Sequence, residues 1–305
     1  MGWILATLIA AAAQTGRNAA QRRLTAELGT MGATAVRFLF GLPFALLFLL
    51  VLFWVPPSPL PDGPAPGAAS LPMPDGVVLA WTMLGAVAQI SATALMLVTM
   101  KTRGFGVTTA LIKTEPVTLA LIGAVVLAEP LGLARMAAIA VATLGVVIMS
   151  GVDWRRGGWK AAALGIAAGA LFGLSAIGFR GAILTLPFGH TVTRAATILA
   201  LGLALQSVLM LAWLALADRA ALAGIARHWR GSLGAGALGA LASLFWFIGF
   251  ALTAAANVRT LALVEVVMAQ LVSGRIFREG ASPRQLAGMG LIVLGVAALI
   301  ALSVR

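Results

Sequence analysis

Apolar residues in this chain come in long blocks rather than in alternation with polar ones. A membrane-spanning helix needs about 17–25 mostly apolar residues. Ten blocks qualify, at about 2–18, 31–53, 76–100, 104–127, 132–150, 159–179, 188–216, 230–252, 256–276 and 284–303. The pattern predicts an all-α polytopic membrane protein with ten transmembrane helices. The first block is short and ends on Gln14, Arg17 and Asn18. No basic region precedes it, so it reads as a retained helix rather than a cleaved signal peptide. The connections are short except Trp54–Asp75, which holds eight prolines and no Lys or Arg. That stretch predicts an extended, exposed loop of polyproline character.

Composition sharpens this picture. The 305 residues are 61% hydrophobic and 10% charged, with a mean hydropathy of +1.04, far outside the range of soluble domains. Cysteine is absent, which excludes disulfides and thiolate metal sites. The two histidines, His190 and His228, sit near block ends and cannot form a metal cluster alone. With no tyrosine, the eight tryptophans are the candidates for interfacial anchoring. The net charge of +12 is scattered between apolar blocks. That fits loops facing anionic headgroups, not a nucleic-acid surface.

The chain repeats itself. At an offset of 150, Leu111/Leu261, Glu115/Glu265, Val117/Val267, Glu129/Glu279, Ala137/Ala287, Gly145/Gly295 and Val146/Val296 coincide without a gap. At an offset of 157, Thr34/Thr191, Arg37/Arg194 and Leu42/Leu199 coincide. The shared Glu, Arg and Gly positions carry weight, because two apolar sequences share Leu and Val by chance. This predicts two five-helix halves, 1–152 and 153–305. An odd helix number inverts the second half relative to the first, a transporter architecture with its site near the midplane. Among alternate connections, one set holds 14 Lys and Arg and the other, including Arg135, Arg180, Arg259 and Arg305, holds 4. Taken literally, the bias puts both termini outside.

Three cations are left within the blocks, Arg37, Lys113 and Arg194, together with Glu115 and Glu265. Charge at bilayer depth is costly, so such residues face a partner or a cavity and mark functional sites. Pro116 follows Glu115 and kinks its helix. Lys113 and Glu115, two apart, point about 200° away from each other on a helix, so each needs a partner elsewhere. Related by the repeat, Glu115 and Glu265 are expected to approach each other and to exchange a proton for substrate. The competing reading makes them static bridges, Glu115 to Lys113 or Arg37 and Glu265 to Arg194. An excess of one cation over the two acids predicts an anionic or zwitterionic substrate, such as an amino acid or organic acid. Arg37 and Arg194, close to block ends, are expected to snorkel to the headgroups.

Amides on the apolar blocks, Gln14, Asn18, Gln89, Gln206, Asn257 and Gln270, are expected to act chiefly as interhelical glue. Gln14 and Asn18 share a face at i, i+4 and join Gln89 as substrate candidates. Trp246, between Phe245 and Phe247, is expected to face lipid. Gly231, Gly234, Gly236 and Gly239 predict a small face for close packing. No Walker-type loop is present, which excludes an ATP-driven pump within this chain.

Glu115-Pro116 leads into Leu127-Ala-Glu129-Pro-Leu131, and a small-residue helix then ends Leu144-Gly145-Val146. The second half repeats this as Glu265, Phe277-Arg-Glu279-Gly-Ala281 and Leu294-Gly295-Val296. With Arg37-Phe-Leu-Phe, nearly the whole chain resembles the EamA-like members of the drug/metabolite transporter superfamily. The resemblance implies a ten-helix, duplicated bacterial inner-membrane carrier of small metabolites, often an exporter, with cytoplasmic termini. Two features depart from it: Lys113-Thr114 precedes Glu115, and Val266 replaces proline, so that the ninth helix is expected to lack a kink.

The expected function is secondary active transport of a small polar metabolite by alternating access at the repeat interface. The alternative is a membrane-embedded enzyme or lipid-handling protein, for which the sequence offers no activated nucleophile or metal cluster. The expected partners are the bilayer, a small-molecule substrate and protons, with a homodimer left open. No cofactor, metal or nucleic acid is expected.

Overall fold

The computed structural model describes residues 2–54, 73–103, 111–149, 159–187, 189–267 and 282–304. Most of the expected proline-rich loop (55–72), the expected start of the fourth block, Gln270 and Glu279 lie outside the described residues, as does the side chain of Asn18. In chain order the helices are α1 (Gly2–Leu39), α2 (Leu42–Trp54), α3 (Gly76–Arg103), α4 (Glu115–Val126), α5 (Leu133–Met149) and α6 (Trp159–Thr185). There follow α7 (Thr191–Ala217), α8 (Arg219–Arg227), α9 (Trp229–Leu252), α10 (Ala255–Leu261) and α11 (Pro283–Val304). Six stretches among the described residues are long and apolar enough to cross a membrane: Met31–Trp54, Gly76–Met96, Ala163–Thr185, Thr191–Ala217, Trp229–Leu252 and Pro283–Ser303. The protein is thus all-α and integral to the membrane.

One boundary differs from expectation at the N-terminus. The first helix does not stop near residue 18 but runs on to Gly29, whose φ of 67° and ψ of -179° part it from the helix that follows, a conformation open to glycine at little cost. The expected second block corresponds to Met31–Trp54 and bends at Phe40–Gly41. Pro43 has no N–H to continue the ladder. At Gly41 a side chain would lie 2.6 Å from the Arg37 carbonyl.

The chain forms two compact units, each assembled from segments far apart in sequence. The first comprises Met1–Val87 and Gly178–Leu252. Its helices close on glycine. Gly178 brings α6 against the backbone of Gly85, Gly181 seats the Trp81 ring, and Gly85 and Gly202 flank the fully buried Phe179. On α9, Gly236 meets the backbone of Phe40 and Gly239 meets Arg17, but nothing lies within 4 Å of a side chain built at Gly234. The expected small face is therefore used at only part of its length. Trp246 is also not lipid-facing. It is buried at 4% exposure, its indole N–H donating to Gln14 Oε1 at 3.1 Å and its ring stacked on Phe250. Trp3 is buried too, whereas Trp54, Trp213 and Trp229 are exposed and remain candidates for anchoring.

The second unit comprises Ala88–Ile177 and Thr253–Arg305. Here α5 packs on α11 through small residues. A side chain at Gly145 would meet the Gly288 carbonyl at 2.6 Å and the Ile292 N at 2.8 Å. One at Gly295 would meet the Ala138 carbonyl at 2.7 Å and the Ala142 N at 2.6 Å. Subtracting the sequence offset of 150 turns Gly288 and Ile292 into positions 138 and 142. The two sets of contacts are therefore the same set exchanged. As position rises along α5 it falls along α11, so the pair is antiparallel about a local two-fold axis across the helices.

This crossing has no room for a larger residue. Gly145→Leu and Gly295→Leu are expected to lower the unfolding midpoint of the detergent-solubilised protein, at a cost of about 1–3 kcal/mol each or more. Gly290→Ala, where nothing lies within 4 Å, is expected to leave it unchanged or raise it. Equal midpoints for all three would show that the close approach contributes no stability.

Candidate functional site

The site is built where two helices of the second unit are broken. Residues 111–112 are helical, 113–114 form a turn, and α4 restarts at Glu115 with Pro116 in its first turn. The turn is held by short-range bonds, Thr114 N to Leu111 O at 3.3 Å and Val117 N to Thr114 O at 3.2 Å. The Thr114 hydroxyl adds a bond to the same Leu111 carbonyl. A proline early in a helix is tolerated because its missing N–H would be unpaired there anyway.

The second half does the same without proline. Helix α10 ends at Leu261, Ala262–Leu263 turn, and 264–267 are helical again. Leu263 N bonds Thr260 O, Glu265 N bonds Ala262 O and Val266 N bonds Leu263 O, all three residues apart rather than four. The expectation of an unkinked ninth helix is therefore wrong. Just before the break the Thr260 hydroxyl donates to the Ala256 carbonyl at 2.7 Å.

The first broken segment is seated by α6. Gly165, Gly169 and Gly173, four apart and so on one face, receive Leu111, the backbone of Ile112 and Leu119 respectively. A side chain at Gly165 would fall 2.6 Å from Leu111. These glycines fix the depth of Lys113 and Glu115. The spacing was visible in the sequence, but nothing there said what it would hold. At the far end of α4, Ala128 takes φ 50° and both Leu127 N and Glu129 N bond the Gly123 carbonyl. A side chain at Gly123 would meet the Glu129 carboxylate at 2.8 Å, so this glycine leaves room for that acid.

The charges pair across the two broken helices. Lys113 Nζ donates to Glu265 Oε1 at 3.4 Å. Arg259 Nε lies 3.3 Å from Glu115 Oε1. Lys113 and Glu115 thus find partners elsewhere, each in the other half of the sequence. Arg37 belongs to the first unit and stands over the Phe38 ring, 5.5 Å from its centroid. Arg194, also in the first unit, donates to the Ile183 and Leu184 carbonyls at the end of α6.

Arg259 was the residue missed. It had been counted as a connection residue, yet it stands in α10. Arg180 and Arg17 lie within helices too, Arg180 donating to the Phe250 carbonyl and Arg17 buried. Among the described residues of the second unit the cluster thus joins two acids and two bases. Two carboxylate oxygens, Glu115 Oε1 and Glu265 Oε2, are buried without a hydrogen-bond donor. Asn257, two residues before Arg259, is buried and donates to Thr253 Oγ1 at 2.9 Å. Gln14 is committed to Trp246, in the first unit. Gln89 is half-buried, and its backbone carbonyl accepts from the Thr93 hydroxyl. Among the described residues no group of His, Cys, Asp and Glu could hold a metal ion.

Residues 1–151 match the model of the EamA-like transporter family. That match covers just under half of the chain and supports a place in the drug/metabolite transporter superfamily. No curated protein matches the chain. A crystal structure of another protein shares the fold, with a TM-score of 0.67 and 16% identity, over 99% of this chain and 98% of that one.

Breaking one pair should cost more than removing it. Arg259→Met leaves the Glu115 carboxylate buried without its partner and is expected to destabilise the protein by about 3–5 kcal/mol. Adding Glu115→Gln should restore most of that loss. Chemical unfolding in detergent of the two single variants and the double variant checks this. Additive losses would show that the two residues do not interact.

Proposed function

We propose that the chain is a secondary active transporter of a small polar metabolite. It is built from two inverted halves, about 1–152 and 153–305, with substrate bound at the pairs Lys113–Glu265 and Glu115–Arg259. The observation that carries the reading is the crossed pairing of these four charges at two broken helices. Free helix ends and buried charge at membrane depth are the features from which carriers build sites. The match of residues 1–151 to the EamA-like transporter family supports transport. The exchanged contacts of α5 and α11 support the inverted duplication.

In this reading the solute enters the cluster by replacing one partner of an ion pair. A carboxylate group of the solute would take Lys113 or Arg259, and a donor group would take Glu115 or Glu265. The displaced acid accepts a proton, so that charge is never left unmatched in the low-dielectric interior. Proton uptake and solute release become alternatives at one carboxylate, which couples a proton gradient to export or uptake. With two acids and two bases, the cluster accommodates amino acids and organic acids alike. The amides Gln14, Asn18 and Gln89 and the cations Arg37 and Arg194 stay as secondary candidates, and Pro116 as the kink.

A thermal-shift screen of the purified protein against amino acids, organic acids and nucleosides would find a binder through stabilisation by mass action. Proteoliposomes carrying an imposed pH gradient would then be assayed with that compound. Glu115→Gln and Glu265→Gln are each expected to reduce gradient-driven transport by about 10- to 100-fold, the equivalent of one charged hydrogen bond. Full, still pH-dependent transport in both variants would overturn the carboxylate role.

A further inference from the structure

The connection between α7 and α9 carries chemistry that the paired-charge site does not use. Asp218 ends α7 and its carboxylate accepts from Ala221 N at 3.0 Å, starting the nine-residue helix α8. One side of α8 is apolar and covered: Ala221 and Ile225 are buried. Ala221 lies beside Gly32, and Gly224 receives Leu28, both of α1. The other side is open, with Arg219, Ala220, Ala223, Ala226 and Arg227 exposed, followed by exposed Trp229 and Arg230. From 211 to 231 the sequence holds three arginines, His228 and one acid, Asp218, which is spent on the cap.

Topology fixes the level of this surface. Helices α7 and α9 are both long and apolar enough to span, and 218–228 is all that joins them. α8 therefore sits where the chain leaves the bilayer and returns. Trp213, one turn before the end of α7, and Trp229, the first residue of α9, are 44% and 48% exposed. Indole rings prefer the headgroup level. The Arg230 guanidinium stands 5.4 Å from the centroid of the Trp229 ring, which holds a charge beside that ring.

We propose that α8 and the start of α9 form a binding surface for anionic phospholipid headgroups, with Arg219, Arg227 and Arg230 taking the phosphates and Trp213 and Trp229 setting the depth. With its apolar side packed on α1, the helix leaves its open basic side to the headgroups, where arginine is attracted to anionic lipid. Each arginine near an anionic membrane strengthens attraction by about five-fold. Arg219 also bonds the Ala215 carbonyl at the end of α7, so headgroup binding there bears directly on that helix end.

The test uses the full chain in nanodiscs of phosphatidylcholine, with and without phosphatidylglycerol. Amide hydrogen exchange across 219–230 is expected to slow in the anionic discs. High salt should abolish the difference, and so should Arg227→Gln with Arg230→Gln. Equal exchange in the two lipids would overturn the proposal, as would slowing that persists in the double variant. Inorganic phosphate added to neutral discs is expected to do nothing. If it reproduces the slowing, the surface is a site for free phosphate rather than for a membrane. The salt comparison on the unaltered chain decides the matter even if the variant does not fold.

Discussion

Four charges inside an apolar protein must find each other. Lys113, Glu115, Arg259 and Glu265 cannot remain uncompensated in hydrocarbon. The solution joins distant parts of the chain: 113 to 265 and 259 to 115. The second unit follows from this demand. Its two broken helices have to lie together. The glycine stripe of α6 seats the first of them, and the close crossing of α5 on α11 brings the two sequence halves side by side.

The sequence correspondence within that arrangement is incomplete. The acids occupy equivalent places, 115 and 265. The bases do not. Opposite Lys113 the second half has the buried Leu263, and its base stands four residues earlier at Arg259. Each half therefore supplies one acid and one base, and each acid is met by the base of the other half.

That shift explains what could be read from the chain alone. Blocks of apolar residues gave the membrane class and most helix positions, because hydropathy is a sum over many residues. The two glutamates were found by exact repetition. Arg259 was missed because repetition sought a cation at 263, although its place inside the block 256–276 was enough to raise it. A helix break was legible only at Pro116; the bend at Phe40–Gly41 falls inside the block 31–53, which was expected to run on. The break at 262–263 depends on backbone bonding around Thr260, which residue identity does not announce. Trp246 was misread as lipid-facing because its partner, Gln14, lies 232 positions away.

The crossed pairs also set an order of events in making the protein. Lys113 precedes its partner by 152 residues. At a synthesis rate of about 5–20 residues per second, the first two charges leave the ribosome roughly 8–30 s before their partners. For that time the segment around Thr114 has no counter-charge from the second half. The ion pairs of the first sequence half are thus completed only once the second half has been made.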